Sequence, residues 1–508
     1  MQKCFDTDRR IRLGIWGLGR GASFIKAAGA VNIDITAGCD LNPALREKFR
    51  QECPGAFITD DENEFLKCRN MDAVLVATYF TGHADHTIRA LEAGFHVMCE
   101  VTSFFTPAEG VRLVEAVEKS GKVYNLLENY PFTKENMYLA KLWRDGFFGE
   151  YQYGEFDYLH DCRNLCYAWN APGSPPVEPG WGAHAWRSWL DFHYYNTHSL
   201  GPLMKITGLR PVEVTAFPEE VSLPGFLPGS GMSRPCPSLV RMSNGAVMRN
   251  LCGATTANYH TGKRIWGTRA AAESLGSHGL LLTVGAAGSG MQIPVEPEWP
   301  ELAELAETAG HGGGDFWELY YFAREILTGE PAPWNIYDAC DVTLAGIMAV
   351  RSSEAGGKPM LIPDFRDPEV RRKFREDEGQ MRRPFDPLRI FPEGHDRKLT
   401  SEFNALMLGL LKHSTLLRRA ADGAAVGERV SSAEKKLEII RLLNEAEKIL
   451  PELASDRKKA EELIAAYPEC PAADALRSAL TLAEPEISAG PEALAEKLHR
   501  LQEKMLNE

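Results

Sequence analysis

The sequence lacks two features that would point to a membrane or nucleic-acid protein. No apolar stretch reaches membrane-spanning length, and the first ten residues hold no apolar run of the kind found in signal peptides. Basic residues are the minority, 56 Lys and Arg against 70 Asp and Glu, and the net charge of -14 argues against nucleic acid or an anionic membrane as a partner. We therefore expect a cytoplasmic protein that binds neither nucleic acid nor membrane.

The sequence also lacks a regular cysteine pattern. Its 11 cysteines are an odd number at irregular spacing, which is typical of free thiols in a reducing compartment. Cys162 and Cys166 form the closest pair, but no second pair stands nearby. His83 and His86 could share a helix face, yet no zinc-protease pattern accompanies them. No metal site is predicted.

A glycine-rich turn near the beginning is the strongest motif that is present. The apolar run 11–16 leads into Gly17-Leu18-Gly19-Arg20-Gly21-Ala22, and a helical pattern follows. This is the G-x-G-x-x-G/A turn that lets a backbone approach a pyrophosphate at a helix N-terminus. A second strand, 33–39, ends in Asp40, where a contact to the adenosine ribose is expected. Because Asp40 would bind both ribose hydroxyls and repel a 2′-phosphate, the predicted cofactor is NAD rather than NADP.

At 508 residues the chain is too long for one core, and its pattern divides into three regions. Strands alternate with helices over residues 1–130, which predicts an N-terminal NAD-binding Rossmann domain with a doubly wound parallel sheet. Residues 131–383 open with a helix, 134–144, and continue with strand-like stretches, which predicts an α+β domain with a mostly antiparallel open sheet. Loops are expected at 171–182 and 218–237. Residues 384–508 predict a helical C-terminal extension.

The order of these regions resembles the glucose–fructose oxidoreductase/inositol dehydrogenase superfamily over residues 10–370, with EAGFHVMCE before the sixth strand. Most dehydrogenases of that superfamily read E-K-P after the fifth strand and use the lysine in catalysis. This chain reads Glu100-Val101-Thr102 instead. A dehydrogenase that uses that lysine as proton acceptor is therefore not expected.

Further motifs resemble one branch, the NAD-dependent α-N-acetylgalactosaminidase family of glycoside hydrolases. Their order and spacing are more specific than any one of them alone. Thr102 and Asn196 stand where that family has proline, so the identity of the sugar is left open. The matching motifs are Glu128-Asn129, Tyr158-Leu159-His160-Asp161-Cys162-Arg163, Trp186-Arg187, Tyr195 to Pro202, Tyr259 before Gly267-Thr268, His311 to Phe316, Tyr337-Asp338-Ala339 and Pro363-Asp364-Phe365.

The resemblance implies an NAD-dependent glycosidase acting on a small-molecule glycoside or oligosaccharide. Its cycle would oxidise C3, remove the C2 proton, expel the group on C1, add water and reduce C3 again, so that NAD is not consumed. The implied site residues are His198, Tyr195 and Tyr158 for catalysis, Arg163, Arg187 and Tyr259 for the substrate, and Gly17, Gly19, Arg20, Gly21, Asp40, His83, Glu100 and Asn129 for the cofactor.

Within that set, His198 is expected to orient the C3 hydroxyl and take its proton, since histidine titrates near neutral pH. Tyr158, ahead of Tyr195, is the candidate base at C2. A free phenol with a pKa near ~10 is a poor base, so its activation would require positive charge from the nicotinamide ring or from Arg163.

Two other classes of function remain open. An NAD-dependent sugar dehydrogenase would stop at the 3-keto sugar without cleavage. A nucleotide-sensing scaffold would use its helical extension to dock a partner. The open sheet or the helical extension could also support a homo-oligomer, although simple packing of that extension on the body explains its apolar spacing as well.

Overall fold

The chain is described here by a computed structural model that covers residues 4–168, 190–255, 262–276, 279–285, 290–299, 302–307, 309–380, 390–484 and 491–507. Its first six strands are β1 (Ile11–Trp16), β2 (Ile33–Cys39), β3 (Phe57–Thr59), β4 (Ala73–Val76), β5 (His96–Glu100) and β6 (Tyr124–Leu127). In the described part of the chain they form one parallel sheet in the order β3-β2-β1-β4-β5-β6. The strand order reverses between β1 and β4, and ligands of such sheets bind at the carboxyl ends near that point.

Short helices connect these strands. The run after β1 is a mixture of 3₁₀ and α turns, while the later helix that leads into β6 opens with a capping box between Thr106 and Glu109. Residues 73–76 of the central strand are fully buried, as expected for a sheet covered on both faces. The helices are α1 (Ile25–Ala28), α2 (Pro43–Glu52), α3 (Glu62–Lys67), α4 (His83–Glu92) and α5 (Pro107–Ser120).

The second sheet follows helix α6 (Lys134–Arg144). Among the described residues it has nine strands in the order β14-β13-β12-β11-β7-β10-β9-β8-β15, and only the pair β7 and β10 is parallel. These strands are β7 (Tyr151–Leu159), β8 (Pro211–Ala216), β9 (Pro235–Met242), β10 (Val247–Gly253), β11 (Lys263–Gly267), β12 (Ala270–Leu275), β13 (Gly279–Val284), β14 (Met291–Val295) and β15 (Met360–Leu361).

Helices between these strands join the two sheets. The helix Thr197–Thr207 and the 3₁₀ turn before it, Phe192–Asn196, pack against β7, β10 and the segment after β6, so they lie at the junction. The longest of the group, at 336–354, is buried along most of its length. The helices are α7 (Leu165–Ala168), α8 (Thr197–Thr207), α9 (Ala303–Ala306), α10 (Gly314–Thr328), α11 (Ile336–Glu354) and α12 (Pro368–Phe374).

The helical extension packs on the second domain. Phe403 of its first helix makes an edge contact with Tyr167 of α7, and Ser478 accepts a hydrogen bond from Gly225 N at 2.9 Å. None of the described helices combines the length and the apolarity that crossing a membrane requires. The extension contains α13 (Arg397–Val426), α14 (Ala433–Lys448), α15 (Leu450–Ala466), α16 (Pro471–Leu480) and α17 (Pro491–Asn507).

The predicted fold class is confirmed in all three regions, while the exact domain boundaries stay a prediction. Helix α6 has the predicted bounds. The loop predicted over 218–237 was wrong at its end, because Pro235 already pairs with Gly253 of β10. Helix α16 was not predicted. The loop predicted over 171–182 lies outside the described residues.

Candidate active site

A histidine–glutamate pair lies where the two sheets meet. Glu128 directly follows β6 and is fully buried, while His198 lies in the first turn of α8 and is 9% exposed. His198 Nδ1 is 2.9 Å from both carboxylate oxygens of Glu128. An ionised carboxylate only accepts hydrogen bonds, so Nδ1 carries the proton and Nε2 keeps a free lone pair on neutral His198. Nε2 is therefore able to act as a base.

Two tyrosines pack against His198. The Tyr158 ring, on β7, lies 4.6 Å from the His198 ring, and the Tyr195 ring lies 5.6 Å from it. Tyr158 and Tyr195 stack on each other at 6.2 Å. The Tyr158 hydroxyl is 3.1 Å from Nδ1 of His160, two residues along the same strand direction. The structure thus brings the three predicted catalytic side chains together, and their roles stay a proposal.

Tyr158, His160 and His198 line a cleft of about 730 Å³, whereas Tyr195 packs beside them and is not among its lining residues. Tyr130 packs against both His198 and Tyr158, with ring distances of 4.6 and 5.2 Å, and its backbone nitrogen donates to Glu128. The cleft is large enough for a sugar with an attached group, since small-molecule pockets span roughly 300–1,000 Å³. Its lining also includes Lys134, Glu135, Asp157, Lys263, Glu307 and His311.

The glycine-rich turn has the backbone geometry that a pyrophosphate site requires. Gly17 has φ +99°, and a Cβ there would lie 2.3 Å from the carbonyl oxygen of Ala77. A Cβ on Gly21 would lie 2.5 Å from Ile15, so this glycine allows the helical run to pack on β1. Gly19 lies between them in the same turn.

Asp40 is held beside that turn. Its two carboxylate oxygens accept hydrogen bonds at 2.7 Å from Leu18 N and Asn42 N. Burial raises the pKa of Asp40, and the two backbone donors only partly offset this effect. A carboxylate has about four acceptor positions, so two remain for ribose hydroxyls. The observed geometry fits the adenosine ribose of NAD.

Arg20 lies at the seam between the turn and the rest of the site. It donates to Glu100 at 2.8 Å and forms a two-pronged pair with Asp315 at 2.8 and 2.9 Å. Burial alone would lower the Arg20 pKa, but Glu100 and Asp315 together raise it. Burial would likewise raise the Asp315 pKa, and Arg20 and His311 lower it well below its usual range.

Asn129 and His83, two further predicted cofactor residues, lie at the carboxyl edge of the first sheet. Asn129 Nδ2 donates to Asp315 at 3.3 Å, whereas its buried Oδ1 has no hydrogen-bond partner among the described residues. This orphaned acceptor fits a donor such as a ribose hydroxyl or the nicotinamide amide. His83 is buried with its ring nitrogens 2.8 and 3.0 Å from the carbonyls of Thr102 and Thr78. Those contacts leave mainly the carbon edge of the His83 ring for a nucleotide.

Of the three predicted substrate residues, the structure describes only Arg163. Arg163 is held by Asp161 and by the Pro224 carbonyl, at the side where the helical extension packs, and its role as a sugar contact or as the activator of Tyr158 stays a prediction. Arg187 and Tyr259 lie outside the described residues.

Sequence reasoning did not assign several residues that the structure places here. Glu128 was visible in the E-N motif, but its partnership with His198 links positions 70 residues apart. His160 was visible in the Y-x-H motif, and period-two alternation along β7 could have paired it with Tyr158. Asp315 belongs to the H-G-G-x-D-F motif, yet nothing local to it indicates Arg20.

One cluster has metal-binding residue types. Ligand atoms of Asp191, His193 and Cys236 lie within 4.8 Å of one another. His193 Nδ1 is 2.8 Å from Asp191 Oδ1, and Cys236 Sγ is 3.5 Å from the same oxygen. Tetrahedral ligands with bonds of roughly 2.0–2.1 Å to zinc stand about 3.3 Å apart. The 2.8 Å between His193 Nδ1 and Asp191 Oδ1 is shorter than that spacing and is typical of a hydrogen bond. Asp191 also caps the turn before α8.

A Rossmann domain joined to a mostly antiparallel sheet, with a histidine and tyrosines at the junction, defines an NAD-binding oxidoreductase fold. Residues 11–127 match the oxidoreductase family with an NAD-binding Rossmann fold. Residues 295–371 match the C-terminal domain of glycosyl hydrolase 109. The chain thus combines an NAD-binding oxidoreductase domain with a glycosyl hydrolase 109 domain. The predicted resemblance, the NAD cofactor and the enzyme class, an NAD-dependent glycosidase on an oxidoreductase fold, are confirmed.

Relatives and solved structures agree with this combination. The chain is 26% identical to a glycosyl hydrolase family 109 protein of Saccharopolyspora erythraea, over 72% of this chain and 85% of that protein. It is 25% identical to an α-N-acetylgalactosaminidase of Tannerella forsythia, over 71% of this chain and 87% of that protein. Levoglucosan dehydrogenase in complex with NADH and L-sorbose shares the fold, with a TM-score of 0.59 and 20% identity over 70% of this chain and 100% of that one.

Proposed function

We propose that the protein is an NAD-dependent glycoside hydrolase that cleaves its substrate by oxidation at C3, elimination between C2 and C1, addition of water and reduction at C3. The observation that carries the proposal is that His198 and Tyr158 line one cleft while Glu128, buried at the carboxyl end of β6, holds Nδ1 of His198. A cofactor that is oxidised and reduced within one cycle is not consumed.

His198 acts at the C3 hydroxyl. Glu128 holds Nδ1 as a donor, so Nε2 is ready to accept the hydroxyl proton. NAD, when bound, supplies the reversible oxidation of C3. Glu128 then stabilises the imidazolium that forms, because a buried carboxylate interacts strongly with a neighbouring positive charge.

Tyr158 and Tyr195 act on the neighbouring carbons. A ketone at C3 acidifies the C2 hydrogen, which Tyr158 removes, and the group on C1 leaves with a proton from Tyr195. Water then adds to C1, and Tyr158 returns a proton to C2. The stacked rings fix the two hydroxyls relative to His198.

A direct displacement at C1 is the competing route to the same product. It requires two carboxyl groups across the scissile bond, and the cleft lining includes Glu135, Asp157 and Glu307. This route never breaks the C2–H bond. The fate of the C2 hydrogen therefore separates the two mechanisms.

The test is hydrolysis in heavy water. The name of the Tannerella forsythia relative makes aryl α-N-acetylgalactosaminides the first substrates to try, followed by other aryl α- and β-glycosides and thioglycosides. We expect the product sugar to gain deuterium at C2 and thioglycosides to be cleaved along with O-glycosides. A cleaved product that stays protiated at C2 would exclude the elimination. Oxidation of the sugar without cleavage would instead show a dehydrogenase.

A further inference from the structure

The Tyr158 hydroxyl has a partner that the mechanism above does not yet use. Its oxygen lies 3.1 Å from Nδ1 of His160. We propose that His160 takes the hydroxyl proton of Tyr158 while Tyr158 takes the C2 proton, so that the two side chains form a proton relay that leads away from the sugar. The inference rests on the proposed function and deepens it.

The fold fixes this pair at the end of β7. Side chains two residues apart on a strand point to the same face, so Tyr158 and His160 lie side by side. His160 N donates to the carbonyl of Gly253 at 3.0 Å, which continues the pairing of β7 with β10 beyond Leu159. Tyr158 is buried, whereas His160 is half-buried. Both side chains line the cleft that would hold the sugar, and His160 is the more exposed of the two, so it is the one able to pass a proton on to solvent.

The relay solves a chemical problem of the elimination. A neutral phenol is a weak base, and its pKa near ~10 leaves little phenolate at neutral pH. A neutral imidazole with a pKa near ~6.5 is able to receive the phenol proton as the C2 proton arrives. Arg163, the other candidate for activating Tyr158, is held by Asp161 and Pro224. Nδ1 of His160, by contrast, lies within hydrogen-bond distance of the hydroxyl.

Each bond in the step is accounted for. The C2–H bond breaks and its proton bonds to Oη of Tyr158, while the original hydroxyl proton bonds to Nδ1 of His160. The electron pair of the C2–H bond becomes the C1–C2 double bond, and the C1–O bond breaks onto the leaving oxygen, which takes a proton from Tyr195. When water adds, Tyr195 regains its proton from water and His160 returns one through Tyr158 to C2.

His198 and His160 then serve different hydrogens. Nδ1 of His198 is a permanent donor to Glu128, so His198 acts through its other nitrogen on the C3 hydroxyl. Nδ1 of His160 faces a hydroxyl that is able to donate, so it acts as the acceptor. Because an imidazolium N–H exchanges readily with water, the relay also explains how solvent deuterium would reach C2.

The test uses His160→Asn, whose side-chain amide can still accept a hydrogen bond from Tyr158 but cannot take its proton. We expect aglycone release and C2 exchange to fall by about 10²- to 10⁴-fold, the usual effect of a lost acid–base group, while the first formation of reduced nicotinamide persists. Because the relay requires a neutral His160, the fall of log kcat/KM towards low pH should depend on one proton fewer in His160→Asn than in the wild type. His499→Asn, on the exposed face of the last helix, is the matched control.

Combining His160→Asn with Tyr158→Phe separates loss of the relay from a general loss of structure. In the Tyr158→Phe background His160→Asn should add almost no further loss, since the relay is already broken, whereas independent roles would give additive losses. Wild-type pH dependence and wild-type C2 exchange in His160→Asn would overturn the relay alone. Wild-type protein that hydrolyses without C2 exchange would overturn the proposed function itself, so the two failures are distinguishable.

Discussion

The two halves of the proposed site are built in different ways. The nucleotide half is local: a turn at 17–22 and Asp40 after the next strand supply its backbone cradle and ribose acceptor within 24 residues of the chain. The sugar half is assembled from Glu128, Tyr158, Tyr195 and His198, which belong to three separate segments joined only where the two sheets meet.

This difference separates binding from chemistry. The nucleotide half is held by backbone conformation and backbone hydrogen bonds, which a substitution in the sugar half does not touch. The sugar half depends on side-chain pairs, each of which fails when one partner is lost. Changes in the two halves should therefore affect different measurements, namely NAD retention in the first and turnover in the second.

The largest expected effect lies in the sugar half. His198→Ala removes the base at the C3 hydroxyl and should lower turnover by about 10²- to 10⁴-fold with every cleaved glycoside. Retained NAD, measured in the supernatant after heat denaturation, should stay at the wild-type level. Turnover near wild type would show that His198 only packs between the two sheets.

A somewhat smaller loss is expected for Glu128→Gln. The amide keeps the shape but removes the charge opposite His198, and it is able to donate as well as accept, so the imidazole loses its fixed tautomer. We expect turnover to fall on the order of 10²-fold with little change in KM. An equal loss in kcat and in NAD retention would contradict the separation of the two halves.

The nucleotide half should show the opposite behaviour. Asp40→Ala removes charge-assisted hydrogen bonds worth about 1.5–3 kcal/mol, so NAD should be retained roughly 10- to 150-fold more weakly. Turnover should recover when NAD is added in excess. Asp60→Ala is the matched control, because Asp60 lies near Asp40 but is exposed and pairs with Arg46. Loss of turnover that saturating NAD does not restore would contradict the separation of NAD binding from chemistry.

The smallest effect is expected for Glu318, which lies near the charges of Arg20, Glu100 and Asp315. Glu318 is buried with neither carboxyl oxygen hydrogen-bonded among the described residues, and burial, with Asp315 and Glu100 nearby, raises its pKa well above the usual range. The folded state thus keeps a proton that the unfolded state releases above its ordinary pKa near ~4.3. Stability contributed by this group is therefore complete at low pH and is lost as pH rises towards the folded-state pKa.

Glu318→Gln should remove that dependence. The free energy of unfolding between pH 5 and pH 8, measured by denaturant titration, should fall less steeply than in wild type, by up to ~1.4 kcal/mol per pH unit for one proton. Glu330→Gln, an exposed position just after α10, should leave the slope unchanged. An unchanged slope in Glu318→Gln would mean that Arg20 neutralises all three acids, Glu100, Asp315 and Glu318, together.

Much of the architecture was predictable because it depends on local pattern. Alternating strands and helices indicated the first sheet, and the glycines with Asp40 indicated its cofactor. The bounds of α6 follow from its apolar spacing between Thr133 and Gly146. Most helices of the extension were predicted for the same reason. The family motifs then indicated which histidine and tyrosines to consider, but not which partners they have.

The sequence by itself determined the fold class, the NAD-binding turn and the set of chemically active side chains, because each depends on residues close together along the chain. Tertiary structure alone decided that Glu128 fixes the tautomer of His198, that Arg20 joins Glu100 to Asp315, and that His160 rather than Arg163 reaches the Tyr158 hydroxyl. Those outcomes depend on distances of a few ångströms between remote segments. Such distances are set only when both sheets have packed, because a hydrogen bond requires an approach that no sequence spacing specifies.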